Sequence, residues 1–180
     1  MNEFIRERQD IEYEKALIVQ KEFMALAEKD GYFCIPSWSS QDRDEHWDVL
    51  MIKGSANEEL YVDVKNEKDV TKKHDCTWLE EKNTEGKTGW LFAPKLNGIV
   101  FEKSDRFIYV DIHGLRQIYD EKVEDKLGLV YGGMTKPKNV LELLYKRYYR
   151  LGMENQPRYD TVVLVRFSDI DKYILKTFMK

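Results

Sequence analysis

Two neighbouring apolar stretches, each of strand length, constrain the fold more than any other part of the sequence. The first, "WDVLMIK" (47–53), is an almost continuous apolar run, which is typical of a strand covered on both faces. The second, "LYVDVK" (60–65), alternates apolar and polar residues, so its two valines share one face while Asp63 and Lys65 share the other. The turn "GSANE" between them predicts an antiparallel hairpin.

Further strands and helices are predicted on either side of this hairpin. Apolar residues at helical spacing predict a long helix over 8–30, ended by Gly31. Helical patterns also cover "LRQIYDEKVEDK", "KNVLELLYKRYYRL" and the closing "DKYILKTFM", and the other strand candidates are "YFCI", "TWLEEKN", "TGWLFA", "NGIVFEK", "RFIYVDI" and "DTVVLVRF". The segments "PSWSSQDRDE" and "KNEKDVTKKHD" are interpreted as polar connections. A chain of 180 residues is long enough for one core, so we expect a single α/β domain over 1–180 with a mixed central sheet flanked by helices.

Composition and motifs exclude several classes of function. Two cysteines and three scattered histidines show no zinc-ligand spacing, and the loops typical of serine hydrolases and nucleotide-binding proteins are missing. A net charge of −4 argues against broad coating of nucleic acid but allows a local basic groove. Without an apolar stretch of about 20 residues or the apolar core of a secretory signal, we expect no membrane association and a cytoplasmic protein.

Asp48 lies inside the first apolar run, where a carboxylate is costly to bury unless it is paired or binds a metal. In a hairpin, Asp48 near the start of one strand can lie beside Asp63 near the end of the other. Adjacent carboxylates repel, which raises a pKa or recruits a cation such as Mg²⁺. Lys65, about 7 Å along the strand from Asp63, can orient or deprotonate a water or stabilise charge on a phosphate oxygen. The alternative for Asp63 and Lys65 is an ordinary solvated strand face.

The spacing of these three residues resembles the core motif of the PD-(D/E)xK nuclease superfamily, which includes type II restriction enzymes and archaeal Holliday-junction resolvases. That motif is an acidic residue at the start of one strand, a hairpin, and then [DE]-x-K on the next strand. Asp48, Asp63 and Lys65 stand at those places, while Trp47 replaces the superfamily's proline. The resemblance implies a restriction-endonuclease-like fold with a metal, Mg²⁺ or in its place Mn²⁺, held by the two aspartates and the carbonyl of Val64.

Many members of the superfamily add a glutamate from the helix before the hairpin. Glu22 fits that position because it borders the apolar stripe of the predicted helix, and it would orient a water at the metal or a second ion. Gln20, at the other edge of the stripe, is the competing choice.

A second motif also contributes to the resemblance. Segments over residues 45–170 are similar, in the same order, to a set of phage-encoded nuclease-like proteins, in which a T-W-x-E-x-K-N stretch recurs. Here that stretch is "TWLEEKN" (77–83), and placement beside the core strand would let Glu80 or Lys82 face the metal or the phosphate. The alternative is a solvated strand face held by Trp78.

Two basic segments are candidates for contact with a substrate. "KDVTKKH" directly follows the strand of Lys65, so we expect Lys68, Lys72 and Lys73 to contact DNA. In "LLYKRYYRL" we favour an apolar stripe with solvated charges over a phosphate-binding helix.

The resemblance implies a Mg²⁺-dependent nuclease that hydrolyses DNA phosphodiester bonds, in phage-type DNA processing inside a host cell, with a homodimer left open. Two alternatives stay open. One is a weak or inactive nuclease-fold protein that binds DNA or a host or replication protein. The other is an RNA-directed nuclease of the same fold.

Overall fold

A computed structural model describes residues 3–54, 58–83, 85–131, 140–151 and 159–180. The helices are α1 (Glu3–Lys29), α2 (Ser39–Glu45), α3 (Asp69–His74), α4 (Ile112–Lys122) and α5 (Phe167–Ile170), with 3-10 turns at Trp90–Phe92, Val140–Leu143 and Asp171–Tyr173. The strands are β1 (Tyr32–Pro36), β2 (Val49–Lys53), β3 (Glu58–Lys65), β4 (Cys76–Lys82), β5 (Gly98–Glu102), β6 (Arg106–Asp111), β7 (Glu124–Tyr131), β8 (Lys146–Leu151), β9 (Tyr159–Arg166) and β10 (Ile174–Met179).

Six strands form the larger sheet, in the order β1-β2-β3-β5-β6-β10. Neighbours run antiparallel except for β3 and β5, which are parallel. The predicted hairpin is confirmed, because β2 and β3 pair with Val49 opposite Val62.

Four strands form a second sheet, in the order β4-β9-β8-β7. Its Leu79 and Val163 share one apolar cluster with Ile99 and Val110 of the larger sheet. The mixed α/β class is therefore confirmed, but the strands are divided between two sheets that share a core rather than forming one central sheet.

The C-terminal half of helix α1 packs on the opposite face of the larger sheet. Phe23 and Ala27 are fully buried there, in a cluster with Val62 and Phe107. Residues 11–18 are exposed apart from Leu17, which is half-buried, so this part of α1 extends past the core. The long helix is confirmed, and its exposed part over residues 11–18 can form the side of a cleft.

Several predicted elements are wrong. "LLYKRYYRL" ends in strand β8, and the closing "DKYILKTFM" contains strand β10 at the edge of the larger sheet. In β10, Phe178 is buried, while its neighbours Thr177 and Met179 are exposed. Such short segments also fit a helical spacing, and pairing with β9 and with β6 decides between the two. "TGWLFA" contains a 3-10 turn rather than a strand, in which the Phe92 N–H donates to the Gly89 carbonyl and the Ala93 N–H to that of Trp90.

The connections differ from expectation as well. Helices α2 and α3 lie in segments predicted to be polar loops, and the helix expected over "LRQIYDEKVEDK" ends at Lys122 before strand β7. Across the described ranges, no helix is long and apolar enough to span a bilayer.

Candidate functional site

Asp48 and Asp63 lie side by side, as the sequence predicts. The register that places Val49 opposite Val62 brings Asp48 opposite Asp63 when it is continued by one residue, and the Asp48 N–H donates to the Val62 carbonyl at 2.9 Å. Because the two valines face α1, the two aspartates project from the other face, toward the second sheet. Their carboxyl groups are close enough to hydrogen-bond to each other.

Four hydrogen bonds hold the Asp48 segment in place. Its carboxylate Oδ2 accepts from the Val64 N–H at 2.8 Å. Its backbone carbonyl accepts from the Ser37 N–H at 2.8 Å and from Nε2 of Gln20 at 2.7 Å. The fourth is the bond from the Asp48 N–H to Val62. Asp48 is thereby tied to Ser37, which follows β1, and to β3 and α1.

Burial and the neighbouring Asp63 carboxylate raise the pKa of Asp48 to about 7. Near neutral pH a fraction of the Asp48 carboxyl groups therefore stays protonated, since a second negative charge beside Asp63 is costly in a desolvated site. A cation would offset the same repulsion.

Lys65 completes the group from the same face of β3. Its Nζ lies 2.6 Å from Oδ2 of Asp63 and 5.6 Å from the centre of a Trp90 ring. Desolvation acts to lower the pKa of Lys65, but the charges of Asp63 and Asp48 outweigh it and raise this pKa above its ordinary value. Lys65 therefore stays charged, which suits it to orienting a group or stabilising an anion rather than to accepting a proton.

A cleft of about 420 Å³ opens above these three residues. Helix α1 lines one side of it with Tyr13, Ala16, Leu17 and Gln20. The spacing of these four residues is that of one helix face.

The second sheet and its neighbours line the cleft from the other side. Trp78 and Glu80 come from β4, Val162 from β9, and Trp90 from the 3-10 turn. The cleft above Asp48 and Asp63 is therefore lined both by α1 with the larger sheet and by the second sheet.

Gln20, and not Glu22, is the contribution of the helix to this site. The Glu22 carboxylate pairs with Lys180 at 3.2 Å and is not part of the cleft lining. Two residues turn an α-helix by about 200°, so a helix that presents Gln20 to Asp48 points Glu22 away. The choice of Glu22 is therefore corrected to Gln20.

The second motif is divided by an irregularity in β4. Glu80 lines the cleft and raises the pKa of Lys65 through its charge. The pairing with β9 shifts between Glu80 and Lys82, so the strict alternation is lost, and Lys82 is exposed and outside the cleft lining. Strand β4 therefore does not lie beside the core strand β3, as the motif was expected to, but in the second sheet, from which Glu80 and not Lys82 reaches the cleft.

The lysines expected to touch DNA are spread over a wider area than the cleft. Lys68 lines it, whereas Lys72 and Lys73 are exposed on α3, with Lys72 4.0 Å from Glu67. Only Lys68 among them reaches the cleft.

Asp42 is a site residue that the sequence reasoning missed. It lines the cleft from α2, and burial together with the nearby Asp48 charge raises its pKa. Its segment was interpreted as a polar loop, and the only signal was a cluster of acidic residues shortly before Asp48.

The donor set fits a cation that needs few protein ligands. Among the described residues, no group of three or more Asp, Glu, His or Cys side chains is placed to hold a metal. Mg²⁺ is commonly bound through one or two carboxylates, with waters and substrate phosphates completing its shell. Asp63, which is buried, and Asp48, which is half-buried beside it, meet that requirement, and Val64 lines the same cleft.

No family model, curated protein or solved structure matches the chain.

Proposed function

We propose that this chain is a Mg²⁺-dependent nuclease of the restriction-endonuclease-like kind, hydrolysing phosphodiester bonds in DNA. The observation that carries the proposal is the convergence of Asp48, Asp63 and Lys65 on one face of two paired strands, at the base of a cleft. A buried carboxylate pair with a lysine beside it combines a cation site with a fixed positive charge. Phosphodiester hydrolysis needs both.

The helix before the hairpin gives independent support. Gln20 reaches the Asp48 carbonyl from α1, the element from which the superfamily adds a residue to its site. DNA in the cytoplasm, of a host cell if the chain is phage-encoded, is the proposed substrate, and the mass in solution tests whether the chain forms a homodimer.

The residues would divide the chemistry as follows. Asp48 and Asp63, with the Val64 carbonyl, would hold Mg²⁺, which when bound supplies a water of low pKa and neutralises charge at the phosphate. Lys65, charged and anchored by Asp63, stabilises the negative charge that develops on the phosphate oxygens. Gln20 keeps the Asp48 segment in position through its carbonyl.

The test is a cleavage assay with purified protein and Mg²⁺ or Mn²⁺ on supercoiled, linear, single-stranded and branched DNA, with RNA beside them. Cleavage that needs the cation and is lost in Asp63→Asn and Lys65→Ala supports the proposal. Glu22→Gln is the matched control, since this carboxylate lies outside the cleft. The proposal fails if none of these substrates is cut, or if Asp63→Asn cuts like the parent.

A second candidate is a nuclease-fold protein that binds DNA or a host or replication protein without cutting it. This candidate is favoured by contacts that the two carboxylates make without a metal. Lys65 pairs with Oδ2 of Asp63, and the Val64 N–H donates to Oδ2 of Asp48. Binding that is indifferent to Mg²⁺, without cleavage, is the result that would select it. An RNA-directed nuclease would be recognised by faster cleavage of RNA than of DNA.

A further inference from the structure

We infer that the cleft takes a single-stranded nucleic acid, with one unstacked base lying against Tyr13 of helix α1. The inference rests on the proposed function for the position of the phosphate, beside Asp48, Asp63 and Lys65, and it adds the class of substrate.

Among the described residues, helix α1 lines the cleft with one aromatic, two apolar and one amide side chain and with no basic one. Tyr13, Ala16 and Leu17 face the cleft, and Tyr13 is 60% exposed although it lies in a concave surface. An exposed aromatic ring at the edge of a polar site is suited to stacking, because every base offers it a π-face. On the opposite side Trp78 and Val162 add apolar surface.

The charges around the cleft argue against a duplex held by its phosphates. Within the described ranges, two lysines line it, Lys65 and Lys68, against four carboxylates, which are Asp42, Asp48, Asp63 and Glu80. Binding of duplex DNA draws its sequence-independent affinity from neutralised phosphates. With Mg²⁺ held by Asp48 and Asp63, the cation and the two lysines only balance the four carboxylates, so the described residues supply little of that affinity and contacts with bases must supply more.

The volume of the cleft also favours a single strand over a duplex. A volume of about 420 Å³ lies within the range of sites that enclose one small ligand. In a duplex the bases are stacked and paired, so their faces are closed to Tyr13 unless a base is extruded at a cost. A single strand presents bases and phosphates together without that cost.

The test measures binding in the Lys65→Ala protein with Mg²⁺ present, so that cleavage is slow. Fluorescence anisotropy would follow labelled oligonucleotides of about 15 nucleotides, the upper end of single-strand site sizes, as single-stranded DNA, single-stranded RNA and blunt duplex DNA. We expect either single strand to bind more tightly than the duplex, and the comparison of the two strands identifies the preferred sugar. Equal or tighter binding of the duplex would overturn the inference.

Substitutions on α1 test the stacking contact itself. In the same background, Tyr13→Ala should weaken single-strand binding by about 5- to 150-fold, the range for loss of one stacked base, and Tyr13→Phe should retain it. Ile18→Ala is the matched control, since Ile18 is 65% exposed on the same helix and does not line the cleft. Unchanged binding in Tyr13→Ala, or equal loss in Ile18→Ala, contradicts the contact.

The failure of this inference differs from failure of the nuclease proposal. If the parent protein cuts the interior of linear duplex DNA as fast as single strands, the proposed function stands and the inference is wrong. If Tyr13-dependent single-strand binding occurs and no substrate is cut, the binding site is supported and the nuclease proposal is wrong.

Discussion

The raised pKa of Asp48 makes the stability of the metal-free protein depend on pH. The folded protein holds a proton at this site up to about pH 7, while the unfolded chain releases it near the ordinary value of 3.8. The stabilisation from Asp48 is therefore complete below about pH 4 and lost as pH rises through 7, by at most about 4 kcal/mol. Melting temperatures from pH 4 to 8 should show a smaller decline in Asp48→Asn, and an identical decline in both proteins would contradict this assignment.

Mg²⁺ should act in the opposite direction on the same pair. Because a cation competes with the proton on Asp48, the rise in melting temperature on adding Mg²⁺ should be larger above pH 7 than below it. At 100 times the dissociation constant the gain is about 2.7 kcal/mol. Thermal melts with and without Mg²⁺ should show this gain in the parent and in Glu22→Gln. A full gain in Asp48→Asn would place the cation elsewhere.

Lys65 is predicted to act on the reaction rather than on assembly of the site. Its ammonium cannot ligate a metal, so Lys65→Ala should leave the Mg²⁺-induced thermal shift in place. Loss of one electrostatic donor slows reactions by about 100- to 1,000-fold, and single-turnover cleavage at saturating Mg²⁺ should slow by that factor. Lys82→Ala, which removes an exposed lysine outside the cleft, should cut at the parent rate. An undiminished rate in Lys65→Ala would remove the role given to this residue.

At the scale of elements, helix α1 distinguishes two residues that the sequence leaves nearly equivalent. Gln20→Ala removes the bond to the Asp48 carbonyl and should lower cleavage by about 10- to 100-fold, as loss of a supporting contact around a metal site does. Glu22→Ala removes only an ion pair with Lys180, and the Glu22 side chain is 44% exposed, so its rate should be unchanged. Cleavage rates of the two variants, measured side by side, show which of Gln20 and Glu22 supports the site. The reverse order would restore Glu22 to the site.

The parts of the site that could be predicted are those set by local sequence. Asp48, Asp63 and Lys65 lie on one hairpin, whose register follows from alternation and a short turn, so their proximity needs no distant contact. Gln20 could not be separated from Glu22, because the rotation of α1 is set by packing against the sheet. Asp42 depends in the same way on where α2 docks.

The elements of the fold also divide into those set by nearby sequence and those set by contacts with distant strands. The hairpin and α1 are long or strongly patterned, and both were predicted. Strands β8 and β10 were predicted as helices, because a segment of six residues fits either period until its partner strand is known. The split into two sheets could not be predicted, since nothing in the pattern of β4 tells which strand it pairs with.

For the whole molecule, the shared core predicts that the two sheets unfold together. Leu79 of the second sheet is fully buried in the cluster that holds Ile99 and Val110 of the first. Leu79→Ala should lower the free energy of unfolding by about 2 to 5 kcal/mol and keep one transition. Leu175→Ala, at a position 59% exposed, should change it by less than about 0.5 kcal/mol. Denaturant curves by far-UV and near-UV circular dichroism should coincide, and separate transitions would mean independent sheets.

The strands of the two sheets alternate along the chain, since β4 lies between β3 and β5, and β10 follows β9. Among the described strands, three of the eight pairings, β3–β5, β6–β10 and β4–β9, join strands that are not consecutive along the chain, and such pairings raise the contact order and slow folding. During synthesis, a chain that has emerged only as far as residue 75 already carries Asp48, Asp63 and Lys65 but lacks β4, β9 and the turn with Trp90. The hairpin can form early, while the walls around it must wait for the C-terminal strands. Any hydrolytic activity would then appear only after the last third of the polypeptide has left the ribosome.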